Sequence, residues 1–205
     1  MGAVSTVIEY FLKGGFVMWP LLLCSVIVVS IAIERWLYYK EVDSGDAFAD
    51  SYCNLLAEQK DADAGKLASC CKGHCAQIVA EAGSFCCCSQ CRAYLETKSS
   101  IAIAKLRSNL NYLSIIVTMA PLLGLLGTII GMINSFSIFD LQAGAPMAIT
   151  GGIGEALIAT ATGLCVAIMA LCVHSYFAHR MEGIITNMEQ CFSALLEHKT
   201  RGELQ

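Results

Sequence analysis

The chain has 205 residues, of which 56% are hydrophobic and 15% charged, and its mean hydropathy is +0.61. A soluble domain usually carries about 25% charged residues, so the composition indicates an integral membrane protein. The net charge of −4 argues against nucleic acid as a partner. The sequence contains no phosphate loop, nucleophile elbow or dinucleotide fingerprint, so we do not expect a conventional enzyme.

Three uncharged runs are long enough to cross a bilayer. They contain 18, 32 and 24 residues and begin at Phe16, Ser108 and Ala156. About 20 residues of helix cross a hydrocarbon core of about 30 Å, so each run accommodates one crossing. We therefore predict an all-α integral membrane protein with three transmembrane helices, at 16–38, 109–136 and 151–178.

The distribution of Lys and Arg predicts the orientation of these helices. Nine of the thirteen Lys and Arg residues lie between Arg35 and Arg107, and three more follow the third span. By the positive-inside rule, both of these segments are cytoplasmic and the N-terminus faces outward. The predicted segments outside the spans are an outward-facing N-terminal segment that can form an interfacial helix (1–15), a cytoplasmic helical insert (39–108), an outward-facing turn (137–150) and a cytoplasmic C-terminal helix (179–205).

The two cytoplasmic segments are predicted to be helical extensions. The insert shows no period-two alternation of polar and apolar residues, so we expect two to four helices and no strand. After the third span, apolar residues recur at helical spacing and predict that the helix continues with one apolar stripe. The residues of this stripe are Met181, Ile184, Ile185, Met188, Phe192, Leu195 and Leu196.

The insert is also rich in cysteine. Seven of the twelve cysteines lie between Cys70 and Cys91, and thiolates at such spacing can hold zinc or an iron–sulfur cluster. The alternative is that cysteine fills small buried positions on helices. We predict no metal centre and no cofactor; the residues that would hold a metal are Cys86, Cys87, Cys88 and Cys91.

The second span combines small residues with one hydroxyl. Gly124, Gly127 and Gly131 predict close packing against another helix, because burial of apolar surface does not drive helix association in lipid. Thr128 lies among these glycines. Its hydroxyl can bond back to its own helix or line a hydrated interior.

The third span carries an acid and two further hydroxyls. Glu155 lies about one turn inside this helix, where an ionisable group costs about 2.5–3.5 kcal/mol and usually faces protein or water. A first-turn acid that is stabilised by the helix dipole is the alternative. At about 100° per residue, Thr162 shares the Glu155 face and Thr160 lies about 140° away, unless Gly163 allows the helix to bend. Gly163 is also predicted to pack helices, like the three glycines of the second span.

Two motifs in these spans resemble a known family. Residues 121–132, PLLGLLGTIIGM, followed by residues 155–168, EALIATATGLCVAI, are similar to the MotA/TolQ/ExbB proton-channel family. The Glu34-Arg35 pair at the end of the first span, the three-span layout and the large insert resemble its ExbB/TolQ branch. Met169 stands near the place where the family often has proline, and the cysteine-rich insert is not typical of the family.

The resemblance implies a function. Proteins of this branch form a homopentamer around a smaller single-span partner, ExbD or TolR, whose intramembrane Asp takes up and releases the proton. The residues that match the polar lining of the family's channel are Thr128 and Thr160, with Glu155 near the outer mouth. We also include Thr162 in the predicted lining, because it lies on the same helix face as Glu155. Proton flow in the bacterial inner membrane would then energise a TonB-like or TolA-like protein.

The residues themselves agree with a channel that needs a partner. No Asp, Glu or His lies near the centre of any span, so this chain alone lacks a mid-depth proton carrier. Two alternatives remain open: a non-conducting membrane scaffold, in which the small residues serve assembly only, and a membrane protein with a cytoplasmic cysteine-based metal or redox site.

Overall fold

Helices make up nearly the whole structure. The computed structural model describes residues 14–85, 87–141 and 146–203, with side chains for all of these except 137–141, 146–150 and 203. No strand occurs within these ranges, and the predicted all-α fold is confirmed. The helices are α1 (Met18–Val42), α2 (Asp46–Ala57), α3 (Asp61–Cys70), α4 (His74–Gly83), α5 (Cys88–Arg107), α6 (Leu110–Leu141) and α7 (Pro146–Glu203).

Helices α1, α6 and α7 contain the three predicted spans. Each includes a stretch that is long and apolar enough to cross a membrane, so the three-span architecture is confirmed. Helix α6 has 32 residues and α7 has 58, both longer than the roughly 20 residues of one crossing. Helix length does not fix where the bilayer begins, so the segment boundaries and the sidedness stay predictions.

The chain divides into two compact units. The first unit comprises residues up to Ala32 together with Asn111–Ser175. Within it, a narrow stripe of buried residues recurs every three or four positions: Val17, just before α1, and Leu21, Cys24 and Val28 on α1. Apolar side chains on its other faces, such as Leu23, which is 60% exposed, are left uncovered by the part of the chain that the structure describes. A lipid environment or further chains can cover such a surface.

The second unit comprises Ile33–Leu110 and the chain from Tyr176 onward. Its 39–108 part contains four short helices, α2 to α5, in agreement with the two to four that were predicted. The end of α7 buries the predicted apolar stripe, with Ile185 and Leu196 at its half-exposed edge. Polar contacts also hold α7 in this unit: Arg180 pairs with Asp43 at 2.8 Å, and Asn187 donates to Asp46 at 2.7 Å.

Two predicted features fall outside the description. The structure describes the N-terminal segment 1–15 only from residue 14 onward. Residues 142–145 of the predicted turn 137–150 also lie outside the described residues. The predicted interfacial helix and the outward turn therefore stay predictions.

Candidate functional site

Helices α6 and α7 approach each other closely through the small residues of spans two and three. A Cβ built on Gly163 would lie 2.7 Å from the carbonyl oxygen of Ala120 and 3.0 Å from the Cα of Gly124. Conversely, a Cβ built on Gly124 would lie 3.1 Å from the Cα of Thr160. These neighbours are backbone atoms that cannot rotate away, so glycine is required for the observed approach.

The same contact continues along both helices. A Cβ on Gly127 would lie 2.6 Å from the Cβ of Ala159, and one on Gly131 would lie 3.0 Å from the Cβ of Ala156. Further along, the buried Ser135 hydroxyl occupies the space beside Gly152. The four glycines that were predicted to pack helices thus all lie where α6 meets α7.

Thr160 joins the two helices by a hydrogen bond. Its hydroxyl donates to the carbonyl oxygen of Gly124 at 3.0 Å, and the side chain is half-buried. A threonine hydroxyl has one donor proton and two acceptor lone pairs. With its proton committed to Gly124, Thr160 retains acceptor capacity, which a water molecule or a protonated acid could use.

The other two threonines bond to their own helices. Thr128 donates to the carbonyl of Leu125 at 2.7 Å, and Thr162 donates to the carbonyl of Ile158 at 2.8 Å. Both side chains are half-buried. The three hydroxyls are therefore not hydrogen-bonded to one another. Each has the same chemistry, a donor proton held by backbone and lone pairs that remain acceptors.

Glu155 lies beside the loop that precedes α1. Its Oε1 occupies the space where a Cβ on Gly15 would be, and Gly15 has a φ of +71°, which disfavours any side chain. The carboxylate is half-buried. No role was predicted for Gly15; the Gly14-Gly15 pair just before an apolar run was the available signal.

Of the four cysteines that are the metal-site candidates, the three that the structure describes have different partners. Cys87 contacts Ser89 (Sγ to Oγ 2.9 Å), Cys88 contacts Thr200 (Sγ to Oγ1 3.4 Å), and Cys91 is buried beside the carbonyl of Ala82. Burial raises the pKa of the Cys91 thiol, which disfavours the thiolate that binds metal. Cys86 lies outside the described residues, and within them no three His, Cys, Asp or Glu side chains are arranged so that they could hold a metal ion.

Another set of thiols does meet, in the second unit. The Cys191 thiol of α7 interacts with those of Cys75 and Cys53, from α4 and α2. Burial is the main cause that raises the pKa of Cys53 to about 11. These residues are far apart in the chain, and no spacing motif could have indicated their meeting.

These features define a multi-pass helical membrane protein. Two of its spans pack against each other at glycine residues, and the same two spans contain the threonine hydroxyls and one acid, Glu155. The MotA/TolQ/ExbB proton channel family matches residues 88–190, half of the chain. The chain belongs to this family, within its ExbB/TolQ branch, and is thus a proton-channel-type subunit of an energising complex.

Individual relatives support the assignment to this branch. The chain is 33% identical over 180 residues to a protein of Synechocystis sp. named ExbB-like 1, covering 81% of this chain and 68% of that one. It is 39% identical over 82 residues to the Tol-Pal system protein TolQ of Pseudomonas aeruginosa (40% of this chain, 36% of that one). It is 41% identical over 71 residues to the biopolymer transport protein ExbB of Salmonella typhimurium (34% and 29%).

Proposed function

We propose that this chain is the channel-forming subunit of an ExbB–ExbD-type or TolQ–TolR-type complex in a bacterial inner membrane, with its N-terminus outside and its C-terminus in the cytoplasm. Copies of the chain assemble as a homopentamer around a single-span partner that carries an intramembrane Asp. Proton flow through this assembly energises a TonB-like or TolA-like protein. The chain itself carries out no enzymatic reaction.

The observation that carries the proposal is the shortage of acids in the spans. Across 109–136 and 151–178, Glu155 is the only Asp, Glu, Lys or Arg. It lies about one turn inside its predicted span, so it cannot serve as a carrier at mid-depth. A proton path built from this chain needs a second protein to bring a titratable group to the membrane centre.

The threonines are suited to line such a path. Thr128, Thr160 and Thr162 each donate to a backbone carbonyl, so each hydroxyl keeps lone pairs that can accept from water or from the partner's protonated acid. Glu155 would attract protons at the outer mouth. The driving force would be about 2.3 kcal/mol per proton for each 100 mV, with the pH gradient added.

The exposed apolar surface supports self-association. On α6, large side chains at helical spacing lie opposite the glycine face, among them Leu122 at 65% and Ile133 at 61% exposure. Other copies and lipid together would cover this surface. Counting chains in the purified complex by native mass spectrometry tests the pentamer, and any other number of copies would contradict it.

Flux measurements with single substitutions test the channel itself. The chain and its partner are reconstituted into vesicles, a potassium diffusion potential is imposed, and proton entry is followed with an enclosed pH dye. Thr160→Val and Glu155→Ala should each lower partner-dependent flux at least threefold while the complex still co-purifies. Unchanged flux in both variants would count against the proposal.

Thr118 provides a matched control for the loss of a hydroxyl. It lies on α6 within the predicted second span and donates to the carbonyl of Ile115 at 2.9 Å, but its side chain is exposed and it lies outside the α6–α7 contact. Thr118→Val removes the same chemical group as Thr160→Val and should leave the flux unchanged.

A non-conducting scaffold is the second candidate, and one observation favours it. All three hydroxyl protons are already satisfied by backbone carbonyls, as expected of threonines that serve packing alone. A scaffold predicts assembly with the partner but no proton entry in any variant or in the parent protein.

A further inference from the structure

A Cys-x-x-Cys pair occupies the first turn of helix α5, in the second unit. Cys88 is the first residue of this 20-residue helix and Cys91 is the fourth. On an ideal helix the Cα atoms of residues i and i+3 are about 5 Å apart. A disulfide bond spans Cα–Cα distances of about 4.4–6.8 Å. The spacing of this pair therefore permits a disulfide between the two residues.

The position at the start of the helix also allows the bond to close. The hydrogen bonds of the helix begin with the amide of Cys91, which donates to the carbonyl of Cys87 at 3.1 Å. Residues of the first turn precede these bonds and adjust more readily than residues of the helix interior. The backbone at Cys88 can therefore make the small movement that brings the two sulfur atoms together.

The two thiols differ in accessibility. Cys91 is 0% exposed, and its thiol points to the carbonyl oxygen of Ala82 at 3.6 Å. Cys88 is half-buried, and its Sγ lies 3.4 Å from the Oγ1 of Thr200, an exposed residue of α7. A reagent from solution can therefore reach Cys88 directly, whereas Cys91 is reached only from within the chain.

A cation lies beside the buried thiol. Lys199 donates hydrogen bonds to the backbone carbonyls of Gly83 and Phe85, which hold its ammonium near the start of α5. Burial raises the pKa of the Cys91 thiol, and the Lys199 ammonium lowers that pKa in part. A neighbouring positive charge stabilises a thiolate. Lys199 therefore favours the thiolate form that Cys91 needs for nucleophilic attack.

Cys87 is the neighbouring thiol that could compete with Cys88 for Cys91. It is exposed, and its Sγ lies 2.9 Å from the Oγ of Ser89. Cys88 is the thiol of this segment whose charge acts on Cys91. The contacts of the three thiols therefore favour a pair formed by Cys88 and Cys91.

We propose that Cys88 and Cys91 form a reversible dithiol–disulfide site that reacts with low-molecular-weight disulfides such as oxidised glutathione. A disulfide that forms in a reducing compartment is usually transient and serves catalysis or redox sensing. The reaction requires neither the partner protein nor proton flow. Its failure would therefore leave the proposed channel function untouched, and the converse also holds.

The reaction proceeds by two thiol–disulfide exchanges. The Cys88 thiolate attacks one sulfur of the external disulfide, whose S–S bond breaks and releases one thiolate. The Cys91 thiolate then attacks the Cys88 sulfur of this mixed disulfide and releases the second thiolate. The protein dithiol loses two electrons, the external disulfide gains them, and the two thiol protons pass to the released thiolates. The second step is intramolecular, so proximity offsets the burial of Cys91.

Equilibration with glutathione tests the site. The full-length protein in nanodiscs is incubated with mixtures of reduced and oxidised glutathione, trapped with N-ethylmaleimide and digested with pepsin for tandem mass spectrometry. A Cys88–Cys91 disulfide should form at a proportion of oxidised glutathione at least about tenfold lower than the one that modifies the exposed Cys70, because the pair reacts intramolecularly. Excess reduced glutathione should restore both thiols.

Substitutions assign the two roles. In Cys91→Ser the second step is impossible, so the mixed disulfide of Cys88 with glutathione should accumulate at least about fivefold above its level in the parent protein. In Cys88→Ser the buried Cys91 should remain unmodified under the same conditions. Cys87→Ser is the matched control, and it should keep the Cys88–Cys91 disulfide.

Four outcomes would overturn the proposal. Loss of the disulfide in Cys87→Ser would make Cys87 the partner of Cys91. Equal amounts of mixed disulfide in the parent and in Cys91→Ser would mean that Cys91 does not resolve it. A disulfide that joins two copies of the chain would indicate surface cross-linking. Modification of Cys70 before any oxidation of the pair would mean that the two thiols do not act together.

Discussion

The Arg35 guanidinium donates a hydrogen bond to the carbonyl oxygen of Leu106, 71 residues further along the chain, at 3.1 Å. It also donates to the carbonyl of Lys105 at 3.0 Å and pairs with Glu34 at 2.8 Å. Both carbonyls belong to the last turn of α5, where no helical partner is available. Arg35 therefore caps this helix, just before the Ser108-Asn109 break that leads into α6.

Replacing Arg35 should destabilise the second unit. The side chain is 4% exposed, so Arg35→Met leaves two backbone acceptors with fewer partners and should cost about 2–4 kcal/mol. Arg35→Lys keeps the positive charge but loses the planar guanidinium group that contacts both carbonyls. Its loss of stability should be smaller than that of Arg35→Met. The free energy of unfolding in detergent measures both effects. Arg92→Met, an exposed arginine of α5, is the control and should change it by less than about 0.5 kcal/mol.

Glycine at position 163 should be indispensable to the contact between α6 and α7. A Cβ there would lie 2.7 Å from the Ala120 carbonyl oxygen, so Gly163→Ala forces the two helices apart. We expect a loss of at least about 1–3 kcal/mol, the usual cost of overpacking. The measurement is the free energy of unfolding of the membrane-embedded protein.

Gly154 is the matched control for this substitution. It lies on the same helix, and a Cβ there would meet nothing within 4 Å. Gly154→Ala should be neutral or stabilising by up to about 1 kcal/mol, the helix propensity difference. If the two alanine variants were equally stable, close approach would not be the reason for glycine at position 163.

Sequence patterns were sufficient for the all-α fold and the three spans, and they indicated a glycine-rich packing face. Long uncharged runs predict spans because backbone polar groups in lipid must be paired within a helix. The spacing of Gly124, Gly127 and Gly131 predicts one packing face, and in the structure this face meets Gly163 and its neighbours. Periodicity is a local property, so it can be recognised without knowledge of the tertiary structure.

Contacts between distant parts of the chain were not predictable in the same way. The pairing of Arg35 with Leu106, the meeting of Cys53 with Cys191, and the position of Glu155 beside Gly15 each depend on how helices pack. Local spacing singled out the cysteines between Cys70 and Cys91, whereas the Cys191 thiol of α7 lies near thiols of α2 and α4 in the described second unit.

The raised pKa of Cys53 predicts a loss of stability at alkaline pH. Burial moves this pKa from 9.0 to about 11, so the folded state holds the thiol proton more tightly than the unfolded state does. Below pH 9 both states are protonated and the thiol adds no pH dependence. Between about pH 9 and 11 the unfolded state loses its proton first, and the stability of the folded state falls.

Thermal unfolding at several pH values tests this linkage. The midpoint of the parent protein should fall between pH 9 and 11, and the fall should be smaller in Cys53→Ala. Cys70→Ala, which replaces an exposed thiol, serves as the control and should keep the parent profile. An identical fall in Cys53→Ala would assign the pH dependence to other groups.

The proximity of Gly15 to Glu155 predicts coupled effects on stability. Gly15→Ala must place a methyl group where the carboxylate now lies and must hold alanine at a φ of +71°. The conformational part alone costs about 1–2 kcal/mol. In a Glu155→Ala background the methyl group no longer collides with the carboxylate, and only the conformational cost of alanine at this φ remains. Gly15→Ala should therefore lower the free energy of unfolding by less in that background. A double-mutant cycle on unfolding free energies measures the difference, and additive effects would mean that the two residues do not meet in the folded protein.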